Sequence, residues 1–223
     1  MGHPVSLSTP TGRISAWRAD PPIPAHGALV VVQEIFGVNA HIRSVVDRFA
    51  AHGFVAIAPA FFDHLEPHVE LDYDPAGVAR GRDLVERLGF ERVLADVEAA
   101  AREIEGSTES GKVGVVGYCW GGSVAFLANC RLGTPAVSYY GGRTTPFLGH
   151  EKPRAPLLLH FGESDPLIPP EHVARHREHL PEAHFEIWPA GHGFNCEQRA
   201  DYHEPSAQAA LLRTLAFFTR ALR

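Results

Sequence analysis

Short apolar, β-branched runs alternate along the chain with stretches of helical spacing. Ala28 to Val32 and Phe54 to Ala58 are each the length of a strand buried on both faces. Between them, Ile42, Val45, Val46 and Phe49 recur at three- and four-residue steps, predicting a helix over His41 to His52 that Gly53 terminates. The pattern continues with a helix over Phe90 to Glu105, a strand over Val113 to Val116 and a helix beginning near Gly121. Strands follow near Ala136 to Tyr140, Leu157 to Phe161 and Phe185 to Trp188, and an amphipathic helix over Ser206 to Leu222 closes the series. Strands separated by helices predict one α/β domain over residues 1–223, with a mostly parallel sheet covered by helices on both faces. Pro59 to Gly89 departs from this grammar. It is rich in Asp, Pro, His and Gly before a helical Arg80 to Leu88, and following a strand it is placed to act as a lid over the carboxyl edge of the sheet, where open α/β folds bind ligands.

Composition narrows the function classes. The 223 residues carry 20 Lys plus Arg against 26 Asp plus Glu, a formal charge of -6, which offers no positive field for phosphate backbones or anionic lipid. Neither a nucleic-acid partner nor a membrane is expected. The N-terminal residues show no basic segment followed by a long apolar run, and the three cysteines form no CxxC pair, so reduced thiols in the cytoplasm are the expectation.

Three strand ends carry candidate chemistry. Gly117-Tyr118-Cys119-Trp120-Gly121 is a G-x-C-x-G pattern between a strand and a helix, which lifts the central side chain clear of the sheet beside a helix N-terminus that favours thiolate. Gly162-Glu163-Ser164-Asp165 places an acid past a later strand, and Gly191-His192-Gly193 a histidine past the next. Nucleophile, acid and histidine in that order suit nucleophilic catalysis. His192 takes the thiol proton and later activates water, while Asp165, with Glu163 as the competing acid, orients the imidazole. The turn Gln33-Glu34-Ile35-Phe36-Gly37 ends an earlier strand. Its Ile35 N–H, with the Trp120 N–H, is the expected oxyanion hole, and a carboxylate at Glu34, ending a strand otherwise buried and with apolar neighbours, is costly unless bonded or used.

These four segments together resemble the dienelactone hydrolase family, the carboxymethylenebutenolidases. The resemblance implies an α/β-hydrolase fold without a large separate cap domain, a Cys119–His192–Asp165 triad, and a Glu34 that contacts the resting cysteine and accepts its proton when substrate arrives. It implies hydrolysis of lactones or activated esters through an acyl-thioenzyme, with no cofactor and no metal. A non-catalytic, electrophile-sensing use of Cys119 is the alternative. Family members that act on dienelactone hold the substrate carboxylate with two arginines, one of them four residues after the histidine, where this chain has Cys196. Arg80, Arg82 or Arg199 is left to take that part, with Tyr73, Tyr118 and Trp120 as candidate pocket walls. Cys196 is also a candidate disulfide partner for Cys119. Cys130 is expected as a small buried hydrophobe, and His172, His176 and His179 as one solvated helix face.

Overall fold

An antiparallel hairpin that the apolar pattern does not announce opens the chain. In the computed structural model, which describes residues 1–223, β1 (His3–Thr9) pairs with β2 (Gly12–Ala19) around a turn at Gly12, whose φ is 134°. In β2 only Ile14, Ala16 and Ala19 are buried, as befits a strand with one wet face. The next strands are covered on both faces. Every residue of β3 (Gly27–Val32) and β4 (Phe54–Pro59) is buried, which is why their sequences run continuously apolar. They pair in parallel across α1 (Ala40–Ala51), and β2 pairs antiparallel with β4, giving the order β1-β2-β4-β3. The Asn39 side chain accepts from the Ile42 N–H to cap α1.

The Pro59–Gly89 segment carries a 3₁₀ turn and a helix. A 3₁₀ turn at Phe61–His64 buries both phenylalanines, and α2 (Pro75–Leu88) starts five residues earlier than the apolar spacing predicts. Asp74 caps it through the Gly77 N–H at 2.7 Å, and Pro75 supplies the preset φ of a first helical residue. Helix α3 (Phe90–Glu105) follows as predicted, separated by Gly89 at φ 69°. Residues Met1–Gly114 with Leu222–Arg223 form one compact unit, and Val115–Ala221 form a second. No separate cap domain interrupts either.

In the second unit, β5 (Val113–Tyr118), β6 (Ala136–Tyr139), β7 (Leu157–Gly162) and β8 (His184–Trp188) are parallel and lie in that order. Helix α4 (Trp120–Leu132) is buried from Trp120 through Cys130, and burial raises the Cys130 thiol to about 12, so it behaves as the small apolar group expected. Helix α6 (Glu204–Ala221) turns Thr214 inward, where its hydroxyl meets Tyr139 Oη at 2.7 Å and His160 Nε2 at 3.1 Å. The Trp188 indole N–H donates to His160 Nδ1, so this histidine is tied on both nitrogens, and burial holds it neutral down to about 3. Helix α5 (Pro170–His179) corrects the expected histidine face. His179 is exposed, but His176 is buried, 2.5 Å from Thr144 Oγ1 and packed on Phe161. No helix is long and apolar enough to cross a membrane.

Candidate active site

Strand β5 ends in a turn that only small residues permit. A Cβ on Gly117 would lie 1.8 Å from the Gly121 carbonyl oxygen, and one on Gly122 would lie 2.6 Å from that of Tyr139. Between them Cys119 sits at φ 54°, ψ −117°, a left-handed conformation that costs on the order of 1–3 kcal/mol in a residue with a Cβ. Its N–H donates to the Tyr139 carbonyl at 3.0 Å, which pins the turn to the end of β6. Trp120 then opens α4, so its N–H belongs to the first helical turn beside the cysteine.

Acid and histidine arrive on the two loops that leave β7 and β8. The Glu163 N–H donates to the Trp188 carbonyl at 2.7 Å and the Ser164 N–H to that of Ala190 at 3.0 Å, so the loops are laced together beyond the strands. Asp165, 3% exposed, accepts from the Leu167 N–H at 2.8 Å with one oxygen and lies 2.8 Å from His192 Nδ1 with the other. That contact makes Nδ1 the protonated nitrogen. His192 Nε2 lies 3.1 Å from Cys119 Sγ, completing an unbroken line of acid, imidazole and thiol. Burial pulls His192 down, but the negative sulfur of Cys119 and the bonds to Asp165 and Cys119 outweigh it and lift the imidazole to about 10. The imidazole therefore holds its proton across neutral pH.

The other candidates separate cleanly. Glu163 is exposed, leaving Asp165 as the acid bonded to His192. Tyr118, expected on a pocket wall, is buried against Tyr139 at 4.7 Å between ring centroids. It is core because β6 brings two further rings beside it. Cys196 is fully buried and its N–H closes a turn onto the Gly193 carbonyl, and Cys119 and Cys196 are both free thiols. Trp120 is buried too, at 3% exposure. Arg199 does reach the histidine loop. Its Nε is 2.5 Å from where a Cβ on Gly193 would stand, so the guanidinium packs on that glycine's backbone.

In the first unit, Glu34 is fully buried at the end of β3 and accepts from Tyr73 Oη at 3.2 Å; Tyr73 in turn accepts from Asn39 Nδ2 at 3.0 Å and packs on Phe36. Ile35 is buried, its carbonyl so close to Gly81 that a Cβ there would stand 2.0 Å from the oxygen. Arg80 is exposed and its Nη2 donates to both carboxylate oxygens of Glu66, and Arg82 is exposed on α2. Sequence reasoning missed Tyr140. At φ 40°, it sets its ring 5.2 Å from the His192 ring, edge to face, with Phe194 behind. The two glycines that follow it were the available signal.

Comparison with known proteins identifies the family. The model of the dienelactone hydrolase family matches residues 14–222. A Synechocystis protein named "Putative carboxymethylenebutenolidase" is 31% identical, the match covering 98% of this chain and 96% of that one. The carboxymethylenebutenolidase of Pseudomonas putida is 35% identical over 145 residues, 63% of this chain and 61% of its own. A Klebsiella pneumoniae structure described as a "Putative Dienelactone Hydrolase" superposes with a TM-score of 0.82 at 28% identity, covering 98% of both chains. The chain is therefore an α/β-hydrolase that acts on esters or lactones, and it belongs to the dienelactone hydrolase family.

Proposed function

We propose that the protein hydrolyses lactones and activated esters with Cys119 as nucleophile, His192 as base and acid, and Asp165 as the group that orients His192. The observation that carries this is the line of contacts from Asp165 through His192 to Cys119, at 2.8 and 3.1 Å. The thiolate attacks the carbonyl carbon, and the carbonyl π electrons move onto oxygen. The Trp120 N–H at the start of α4 faces that developing charge, and the family motif assigns the second donor to Ile35. Collapse expels the alkoxide or enolate, which takes a proton from the His192 imidazolium and leaves an acyl-thioenzyme. A water then gives His192 its proton as it attacks the thioester, and Cys119 departs as thiolate. Sulfur is a better leaving group than most alkoxides, so enol-lactones and aryl esters suit this nucleophile better than amides.

The family motif assigns Glu34 a contact with the resting cysteine, and the Tyr73 hydroxyl that donates to its carboxyl at 3.2 Å holds that side chain in place. Of the three candidate arginines, Arg199 is the one beside the histidine loop, and it is the residue to hold a substrate carboxylate. The whole of residues 1–223 works as one α/β-hydrolase domain in a reducing cytoplasm, in keeping with three free thiols. The test is the steady-state loss of ultraviolet absorbance of a carboxylated dienelactone, run beside a neutral aryl ester. Cys119→Ala is expected to abolish both activities; unchanged turnover rejects the assignment. A burst of one product equivalent in wild type, with no steady state, would point to electrophile sensing instead.

A further inference from the structure

The end of β6 meets the proposed nucleophile and the proposed base at consecutive residues. The Tyr139 carbonyl accepts from the Cys119 N–H at 3.0 Å, and Tyr140 sets its ring against His192. Tyr140 is fully buried at φ 40°, outside the conformations a residue with a large side chain ordinarily adopts. Its neighbours hold it there. The Tyr140 N–H donates to the His160 carbonyl at 2.8 Å, which carries the β6–β7 pairing one residue past the strand. Gly141 is then pressed so closely that a Cβ on it would stand 2.5 Å from Ser138 Oγ and 2.9 Å from the Gly122 carbonyl carbon. A left-handed residue persists where its surroundings over-determine it, and such residues gather at functional sites. Here the turn decides where the ring points.

His192 lacks one constraint that such a ring supplies. The N–H bonds and lone pairs of an imidazole lie in the ring plane. Its contacts to Asp165 at 2.8 Å and to Cys119 at 3.1 Å therefore resist sliding within that plane, and resist tilting out of it only weakly. Tilt is fixed by packing against the ring. The Tyr140 and His192 rings are 5.2 Å apart between centroids with their planes at 61°, an edge-to-face contact. Phe194, two residues along the same loop, meets the Tyr140 ring at 5.3 Å and 73°. Tyr140 thus engages the histidine loop through two side chains, and its backbone is anchored to β7 and against α4.

We infer that Tyr140 is a positioning residue for the reaction, its ring fixing the tilt of the His192 imidazole so that Nε2 stays aimed at Cys119 Sγ while Nδ1 stays on Asp165. It acts through His192 and takes no part in proton or acyl transfer. The inference rests on the reading of Cys119 as nucleophile and His192 as base. The role requires a flat ring and makes no use of the hydroxyl, so phenylalanine should serve in its place and leucine should not. A displacement of about 1 Å at a reacting group costs about a hundredfold in rate, and a base left free to tilt should lose a substantial part of that.

The test compares wild type, Tyr140→Phe and Tyr140→Leu in two ways: kcat for a neutral aryl ester, and the NMR signal of the His192 Nδ1 proton, assigned by its absence from His192→Gln. Tyr140→Leu is expected to lower kcat by about tenfold or more and to broaden the proton signal through faster exchange with water. Tyr140→Phe is expected to keep both at the wild-type level. A Tyr140→Leu protein that is less stable in urea yet keeps wild-type kcat and proton signal would show that the ring only packs, and would overturn the inference. So would a Tyr140→Phe that loses as much as Tyr140→Leu, or a wild-type Nδ1 proton that exchanges as freely as the one in Tyr140→Leu. If Tyr140→Leu does not fold, Tyr140→Met, which fills space without a flat ring, takes its place in both measurements. The proton signal needs no substrate. An inactive wild type or an active Cys119→Ala rejects the reading of the nucleophile, and the signal then still decides whether Tyr140 positions His192.

Discussion

Removing the sulfur of Cys119 should change the titration of His192 more than any other substitution near it. The two groups are 3.1 Å apart, nitrogen to sulfur, which puts the centres of an imidazolium and a thiolate roughly 4 Å apart once the ring's delocalised charge is allowed for. At an effective dielectric of about 20 that attraction is about 4 kcal/mol, and at about 1.4 kcal/mol per pH unit it corresponds to about 3 pH units. His192 stands at about 10 in the intact site. In Cys119→Ala, burial still lowers it and Asp165 still raises it, so the imidazole should titrate near 7, about 3 units down. The assay is the Cε1–H chemical shift of His192 against pH, assigned by the signal missing from His192→Gln. Cys119→Ser is the companion, because it keeps a hydrogen-bonding atom without the charge and should fall by nearly as much. A His192 that still titrates above about 9 in Cys119→Ala would refute the ion pair as the cause.

Two further predictions concern stability. Gly117→Ala forces a methyl group against the Gly121 carbonyl oxygen, which cannot move without opening α4; a loss of about 3 kcal/mol or more is expected in urea unfolding, with activity lost in parallel. His160 stays neutral in the folded chain down to about 3, whereas an unfolded histidine takes up a proton below about 6.5. Its contribution is therefore intact above about 6.5 and is lost as pH falls toward 3, by about 1.4 kcal/mol per pH unit. Between pH 7 and 5, His160→Gln should lose about 2 kcal/mol less stability than wild type; an equal loss in both would show that His160 is not the acid-sensitive group.

The cluster of Cys119, His192 and Asp165 was legible in the sequence because each of the three sits in a turn that glycine must build. Gly117 and Gly121 bracket Cys119, Gly162 precedes Asp165, and Gly191 and Gly193 flank His192, so the turns advertise themselves whatever surrounds them. The buried strands were legible for a similar reason, since covering on both faces leaves an uninterrupted apolar run. Strands β1 and β2 were not, because a half-wet hairpin admits Ser, Thr and Arg at alternate positions and blurs into loop. Depth of burial was the least legible property. Tyr118 and Cys196 occupy strand-end and loop positions that sequence alone places near substrate, and they are core because β6 and the Gly193 turn close over them. His176 is likewise set by Thr144, 32 residues away, and Arg80 by Glu66. Local spacing carries no information about partners supplied by another element.

The lacing of the Asp165 and His192 loops has a consequence for how such an enzyme changes over time. Backbone bonds from Glu163 to Trp188 and from Ser164 to Ala190 extend the β7–β8 pairing past the end of the sheet, so Asp165 and His192 share one alignment set by the strands. A slip of one residue would displace His192 by about 3.3 Å and turn its side chain to the opposite face. The pair can therefore be inherited, exchanged or grafted as a single two-stranded cassette, and a substitution beneath it, in α6 or at Trp188, can erode turnover while leaving every reacting atom in place.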